Sequence, residues 1–126
     1  MVSSASLKQR LHYIQGRINK AAIKVGRNPQ NITIIAITKS FPQGIWEKAL
    51  SANLTTLGES RIQETQKKTE IFQYRNRIEL HLIGHLQSNK ARKAVELFDV
   101  IQTIDSTQIA KRINQICIEN SKKQKR

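Results

Sequence analysis

The chain has 126 residues and a formal net charge of +13 at pH 7. A chain of this length forms one domain by ordinary size statistics and can bury a core without covalent staples. Cys117 is the single cysteine, which excludes an internal disulfide framework, and no apolar run resembles a secretory signal or a membrane span. We therefore expect a cytoplasmic protein without a membrane partner.

The excess of lysine and arginine invites a nucleic-acid-binding interpretation. The basic residues are nevertheless spread over several predicted helices, and the dense cluster lies at the very end, in residues 121–126. No basic stripe is interleaved with aromatic residues that could stack on bases. Solvated helix faces and a basic disordered tail explain the charge better, and a basic nucleic-acid-binding module is kept as the alternative function.

The chain begins with a predicted amphipathic helix that opens near Ser4 or Ser6. Its apolar residues recur at spacings of four and three: Leu7, Leu11, Ile14, Ile18, Ala21 and Val25. Gly26 predicts the C-cap of this helix. The β-branched run from Ile32 to Thr38 then predicts a buried strand of the kind found in parallel sheets.

Helices and strands alternate through the rest of the chain. A helix is predicted with Pro42 in its first turn and Ser40 as its cap, and further strands are predicted at residues 55–59, 78–83 and 100–104. The later helices have these candidate caps: Ser60 to Gln63, which matches a capping box, then Ser88 or Asn89, then Asp105 with Ser106. The pattern predicts an α/β fold for residues 1–120, with a parallel sheet and right-handed crossovers.

Each predicted strand ends in polar or small residues. The pairs are Lys39-Ser40, Gly58-Glu59, Gly84-His85 and Asp105-Ser106. In parallel sheets these ends meet at one edge, where α/β folds hold their ligands. Lys39 is the most informative, because apolar surroundings would favour a neutral amine that condenses with aldehydes. The alternative is that Lys39 is simply the first polar residue after a strand.

Three blocks of sequence carry a family resemblance. They are Ala36 to Ser40, Gly58 to Glu64 and His81 to Lys90, extended by Phe98-Asp99 and by Thr103 to Ser106. Together they resemble the pyridoxal phosphate homeostasis protein family, which is built like the N-terminal barrel domain of alanine racemase. The resemblance implies a protein that holds pyridoxal 5′-phosphate (PLP) as a Schiff base on Lys39. It also implies a role in vitamin B6 cofactor homeostasis with no catalysis of its own.

The resemblance further implies that Glu59, Ser60, His81 and Gly84 contribute to cofactor binding beside Lys39. Glu59 is either a general base near the cofactor or a solvated loop carboxylate. Family members usually carry asparagine at the position of Ser60, and the shorter serine makes fewer hydrogen bonds there. No catalytic residue is predicted.

A metal site is also considered, because two histidines lie near a glutamate. His81 and His85 are four residues apart, which along a strand is ~13 Å and too far for one ion. We therefore expect no metal. His81 should face the barrel interior or the sheet surface, and His85 should begin a loop at the carboxyl edge.

Family members form (β/α)₈-type barrels, which run to ~250 residues, whereas this chain offers four βα units. We therefore expect a partial barrel, in a truncated member that lacks the C-terminal half. That half carries the segments that hold the cofactor phosphate, so binding should be weak unless a basic cluster such as Lys90 with Arg92 replaces them. Open sheet edges predict a homo-oligomer, or a separate chain that supplies the missing half-barrel. A degenerate inactive fragment is the remaining alternative.

Overall fold

The computed structural model describes residues 4–41 and 44–120, which form four parallel strands flanked by helices. The helices are α1 (Ser4–Lys24), α2 (Ile45–Ser51), α3 (Ile62–Ile71), α4 (Ala91–Leu97) and α5 (Thr107–Glu119). The strands are β1 (Ala36–Ile37), β2 (Thr56–Glu59), β3 (Glu79–Leu82) and β4 (Val100–Ile101). The predicted α/β class is confirmed, and the basic tail at 121–126 lies outside the described residues.

The sheet follows the order of the sequence, β1-β2-β3-β4, and every neighbouring pair is parallel. Ala36 is in register with Leu57, and His81 is in register with Val100. Parallel strands joined one after another by helices are the repeating units of a (β/α) barrel. The predicted succession of four βα units is therefore confirmed.

All four strands are shorter than the segments predicted for them. β1 covers two residues of the run from Ile32 to Thr38, because only Ala36 and Ile37 are in register with β2. A 3₁₀ turn at Pro29–Asn31 precedes that run. Ile34 and Ile104 lie outside the strands and still pack against the core. Apolar character therefore marks burial, and it extends beyond the hydrogen-bonded ladder.

The core lies between the sheet and the helices. Leu57, Leu80 and Leu82 of the central strands are buried on this side of the sheet. They belong to one cluster with Trp46 of α2 and Ile116 of α5. Trp46 also meets the ring of Phe72 edge to face at 5.4 Å. Packing of the helices against this side of the sheet holds the strands, and therefore their carboxyl ends, in place.

The opposite side of the sheet, which we call the inner face, gathers isoleucines around Gly58. A Cβ atom at Gly58 would lie 2.9 Å from Ile37 Cδ1, 3.3 Å from Ile35 Cγ2 and 3.5 Å from Ile83 Cδ1. Side chains alternate along strands, so His81, the register partner of Gly58, shares this face. Ile37 remains 46% exposed there. The inner face is thus apolar around Gly58, polar around His81, and partly open to solvent.

Of the predicted N-caps, one is confirmed and three are wrong. Ser106 Oγ accepts from the Ile109 N–H at 3.2 Å at the start of α5. The N-cap of α2 is Gly44, with a φ of +94°, and not the predicted Ser40. Pro42 lies outside the described residues. The N-caps of α3 and α4 are Arg61 and Lys90, and neither makes a side-chain cap bond.

The capping box at Ser60 does not form, and the first turn of α3 instead has a threonine bonded back to its N-cap residue. Both the N–H and the Oγ1 of Thr65 donate to the Arg61 carbonyl, at 3.0 and 2.7 Å. Ser88 and Asn89 instead belong to a 3₁₀ turn that leads into α4. Within the described residues, no helix is both long and apolar enough to cross a membrane.

Candidate functional site

A buried polar cluster lies beneath the carboxyl ends of β1 and β2, and we call it the Glu59 cluster (Thr38, Trp46, Glu59 and Lys68). Glu59 Oε2 accepts hydrogen bonds from Thr38 Oγ1 at 2.5 Å, Trp46 Nε1 at 3.2 Å and Lys68 Nζ at 2.7 Å. The Lys68 and Glu59 side chains are 4% and 0% exposed. A charge pair so far from water needs hydrogen bonds around it, and here they converge on Glu59 Oε2 and Lys68 Nζ.

The Glu59 cluster anchors the backbone that carries Lys39. Lys68 Nζ donates to the Thr38 carbonyl at 2.9 Å, and the Thr38 N–H donates to the Gly58 carbonyl at 3.0 Å. On the other side, the Ser40 N–H donates to Glu64 Oε1 at 2.7 Å. Lys39 is therefore held between two anchored residues at the carboxyl edge of the sheet.

One prediction about Lys39 is corrected, and the turn at Ser40 explains why. The Lys39 side chain is exposed, so the predicted apolar surroundings of its amine are wrong. The chain leaves the strand immediately after Thr38 and turns at Ser40, whose φ is +67°. Few L-residues adopt this backbone region, and here the bond to Glu64 holds it. The turn places Lys39 toward solvent, where a small molecule can reach its amine.

Glu59 is not the solvated loop carboxylate that was one of its two predicted states. It is the last residue of β2 and points to the helix-covered side, toward Trp46 of α2 and Lys68 of α3. Its second oxygen, Oε1, is buried and has no hydrogen-bond partner among the described residues. The observed role of Glu59 is to tie β1, β2 and α3 together.

Ser60 and Gly84 are brought together by the loops that follow β2 and β3. Gly84 has a φ of +94°, and a Cβ atom there would lie 3.8 Å from Ser60 Cβ. A neighbouring link joins the ends of β3 and β4, since His85 Nδ1 lies 2.7 Å from Asp105 Oδ2. The strand-end pairs predicted from sequence therefore do meet along one edge.

His81 is buried on the inner face and is bonded at both ring nitrogens. Its Nε2 lies 2.7 Å from Glu79 Oε1, and its Nδ1 lies 2.8 Å from Gln102 Nε2. The amide nitrogen of Gln102 can only donate, so Nδ1 accepts and Nε2 carries the proton toward Glu79. His81 and His85 thus have different partners in the fold.

A cleft of about 490 Å³ opens beside the Ser60 and Gly84 loops, and we call it the basic cleft. It is lined by Ser60, Arg61, Ile62, Gln63, Glu64, Lys67, His85, Gln87 and Lys90. Arg61, Lys67 and Lys90 make no ion pair within the described part of the chain. Of the possible basic cluster of Lys90 with Arg92, Lys90 lines this cleft, whereas Arg92 is not among the lining residues and donates to Glu119 Oε2 at 2.7 Å.

Comparison with known proteins gives a consistent result. No family model matches the chain. Curated relatives do match: the pyridoxal phosphate homeostasis protein of Vibrio alginolyticus is 38% identical over 113 residues, and that of Escherichia coli (strain K12) is 39% identical over 106 residues. These alignments cover 87% and 82% of this chain but 48% and 45% of the relatives. The chain spans about half the length of the curated relatives it matches.

The chain also covers about half the length of the solved structures that it matches. PipY of Synechococcus elongatus PCC7942, without PLP, has a TM-score of 0.72 and 34% identity over 85% of this chain and 50% of its own. PipY with PLP bound has a TM-score of 0.67, 35% identity and coverage of 82% and 49%. An unknown protein from Bifidobacterium adolescentis has a TM-score of 0.84, 29% identity and coverage of 94% and 52%.

Proposed function

This chain is homologous to the pyridoxal phosphate homeostasis proteins over about half of their length, and on that premise we propose that it binds PLP on Lys39 and serves vitamin B6 homeostasis. The observation that carries the proposal is the match to PipY with PLP bound. It is supported by Lys39, which stands at the carboxyl edge of the sheet between two anchored residues.

The residues of this edge fit such a ligand. When bound, PLP supplies an aldehyde carbon to which a lysine nitrogen can attach covalently. The Lys39 amine is open to solvent, and its backbone is fixed by Lys68 and Glu64. Ser60 and Gly84 form a joined rim along the same edge. We propose that this rim and His81 bound the site and that Lys39 provides the attachment.

The proposed role is non-catalytic. A PLP enzyme needs an acid or base that is free to move a proton at the substrate. Glu59 is engaged by Lys68 inside the core, and both nitrogens of His81 are bonded within the chain. These engagements support a carrier function, and we further propose that residues 1–120 form one binding domain of a cytoplasmic protein.

Covalent trapping tests the proposal. The protein is incubated with PLP, reduced with borohydride and digested, and the modified peptides are quantified by mass spectrometry. We expect Lys39 to be the preferred site, and Lys39→Arg to remove that adduct while Lys20→Arg leaves it. Lys20 is an exposed lysine on α1, far from the strand ends in sequence. Adducts spread evenly over the surface lysines would refute the assignment.

We also propose that a second copy of this chain covers the inner face. Ile37 and Phe41 are 46% and 42% exposed, and they lie at the edge strand β1 and just beyond it. Exposed apolar surface next to an open sheet edge favours association. The relatives are about twice as long, so two copies would supply a comparable number of strands. A separate chain that completes the sheet is the competing outcome.

A further inference from the structure

The basic cleft is built by basic residues from two parts of the chain, the start of α3 and the turn before α4. Arg61 precedes α3, Lys67 lies within α3, and Lys90 ends the 3₁₀ turn before α4. The one carboxylate in the lining, Glu64, is already bonded to Lys68 at 3.2 Å and to the Ser40 N–H at 2.7 Å. The positive charge of the cleft is therefore largely uncompensated by the protein itself.

We propose that the basic cleft binds a phosphate monoester. Such a group carries a charge of roughly −1.5 to −2 at pH 7 and offers three strong acceptor oxygens. Arg61 can bind two of these oxygens with its planar fork, while Lys67 and Lys90 act as point charges. Gln63 and Gln87, also in the lining, provide further donors.

Size and composition favour a small phosphate ester over a nucleic acid. The volume of about 490 Å³ suits a single small ligand. No Phe, Tyr or Trp side chain is among the residues that line the cleft, so it lacks the large rings on which bases usually stack. The net charge of the chain attracts polyanions in general, but the convergence of Arg61, Lys67 and Lys90 is local.

The inference does not depend on covalent attachment at Lys39. Lys39 is not among the lining residues, and a phosphate group does not react with lysine. The phosphate could belong to the cofactor itself or to another phosphate monoester. Both sources present the same phosphate group, and competition experiments distinguish between them.

The first experiment is a titration of the full chain with inorganic phosphate, followed by backbone amide shifts in two-dimensional NMR. We expect the shifts to concentrate in residues 60–64, 85–87 and 90. Arg61→Gln should weaken binding about tenfold, as expected for loss of a charge-assisted contact. Lys20→Gln removes the same charge from α1 and should weaken it less than about twofold, because screening limits its reach.

The variants' spectra also report folding, so a misfolded Arg61→Gln would be seen directly and Lys67→Gln and Lys90→Gln would then carry the test. Equal weakening by Lys20→Gln and by the cleft variants, or shifts spread over all basic helices, would overturn the inference. The inference would also be overturned if a short single-stranded DNA displaced phosphate equally well from Lys20→Gln and Arg61→Gln protein.

The second experiment uses Lys39→Ala protein, in which covalent attachment at that residue is removed. Displacement of phosphate by PLP but not by pyridoxal supports the cofactor phosphate as the occupant. Equal displacement by PLP and glycerol phosphate supports a general phosphate monoester site. Displacement by pyridoxal alone would overturn the inference. Failure of trapping at Lys39 in the wild-type protein would concern the proposed function only, because phosphate binding is measured separately.

Discussion

Removing the Lys68 charge should destabilise the fold far more than removing the charge of its neighbour Lys67. In Lys68→Met, Glu59 Oε2 loses a donor at 2.7 Å and the Thr38 carbonyl loses one at 2.9 Å, while Glu59 stays fully buried. Truncating one partner of a buried pair costs about 3–5 kcal/mol, since the other charge is left uncompensated. Whole domains have only about 5–15 kcal/mol of stability, so this loss should be plain.

Urea unfolding followed by circular dichroism measures the effect. Lys67→Met is the matched control, because Lys67 is exposed and adjacent, and it should change the free energy of unfolding by less than about 0.5 kcal/mol. The double variant Glu59→Leu with Lys68→Met removes both charges and should be more stable than Lys68→Met alone. If Lys68→Met is unfolded without urea, a folded double variant still shows that removing the Glu59 charge offsets the loss of Lys68.

The reasoning fails if Lys68→Met costs less than about 1 kcal/mol, which is the range of an exposed pair. It also fails if the double variant is as unstable as the two single variants added together, because then the two residues are not coupled. The same variants test the link to Lys39. If the Glu59 cluster positions that lysine, borohydride trapping at Lys39 should fall in folded Lys68→Met protein and remain unchanged in Lys20→Met, because Lys20 lies on α1, outside both the Glu59 cluster and the basic cleft.

Two further predictions concern the last helix and the inner face. Ser106→Ala removes the acceptor of the Ile109 N–H and should lower the free energy of unfolding by about 1 kcal/mol, whereas Ser106→Asp should keep it; urea unfolding decides. Self-association should strengthen with added salt, because screening to ~8 Å weakens the repulsion between copies while apolar burial persists. Sedimentation should show Ile37→Lys monomeric at every salt concentration, and a compact wild-type monomer throughout would exclude the second copy as the partner.

Local chemistry explains which helix starts were predictable. Ser106 caps α5 because its own side chain reaches an N–H three residues on, an interaction contained within four residues of sequence. Ser60 has the same local pattern, yet α3 starts one residue later, where Thr65 closes the turn on the Arg61 carbonyl. β1 is shorter than predicted because its length depends on pairing with the neighbouring strand β2, which the local sequence does not specify.

The succession of strands and helices followed from periodicity, but the burial of Glu59 did not. Its partner Lys68 lies nine residues later on another element, so only the packing of α3 on the sheet brings them together. One signal could have found it: Thr65, Lys68 and Phe72 recur at spacings of three and four, which places the lysine on the buried side of the helix. Lys39 was identified correctly as a strand-end lysine, while its exposure depends on the turn at Ser40.

The sequential order of the strands has a consequence for how the chain acquires its structure. Every pairing in the described sheet joins residues about twenty apart in sequence, as in Ala36 with Leu57 and His81 with Val100. No strand therefore pairs with a segment that is far away along the chain. Short loops close quickly, and folds rich in such contacts form faster than those with distant pairings. Each βα unit can therefore add to the previous one as the ribosome releases it, and β2 can dock on β1 before β4 has been synthesised.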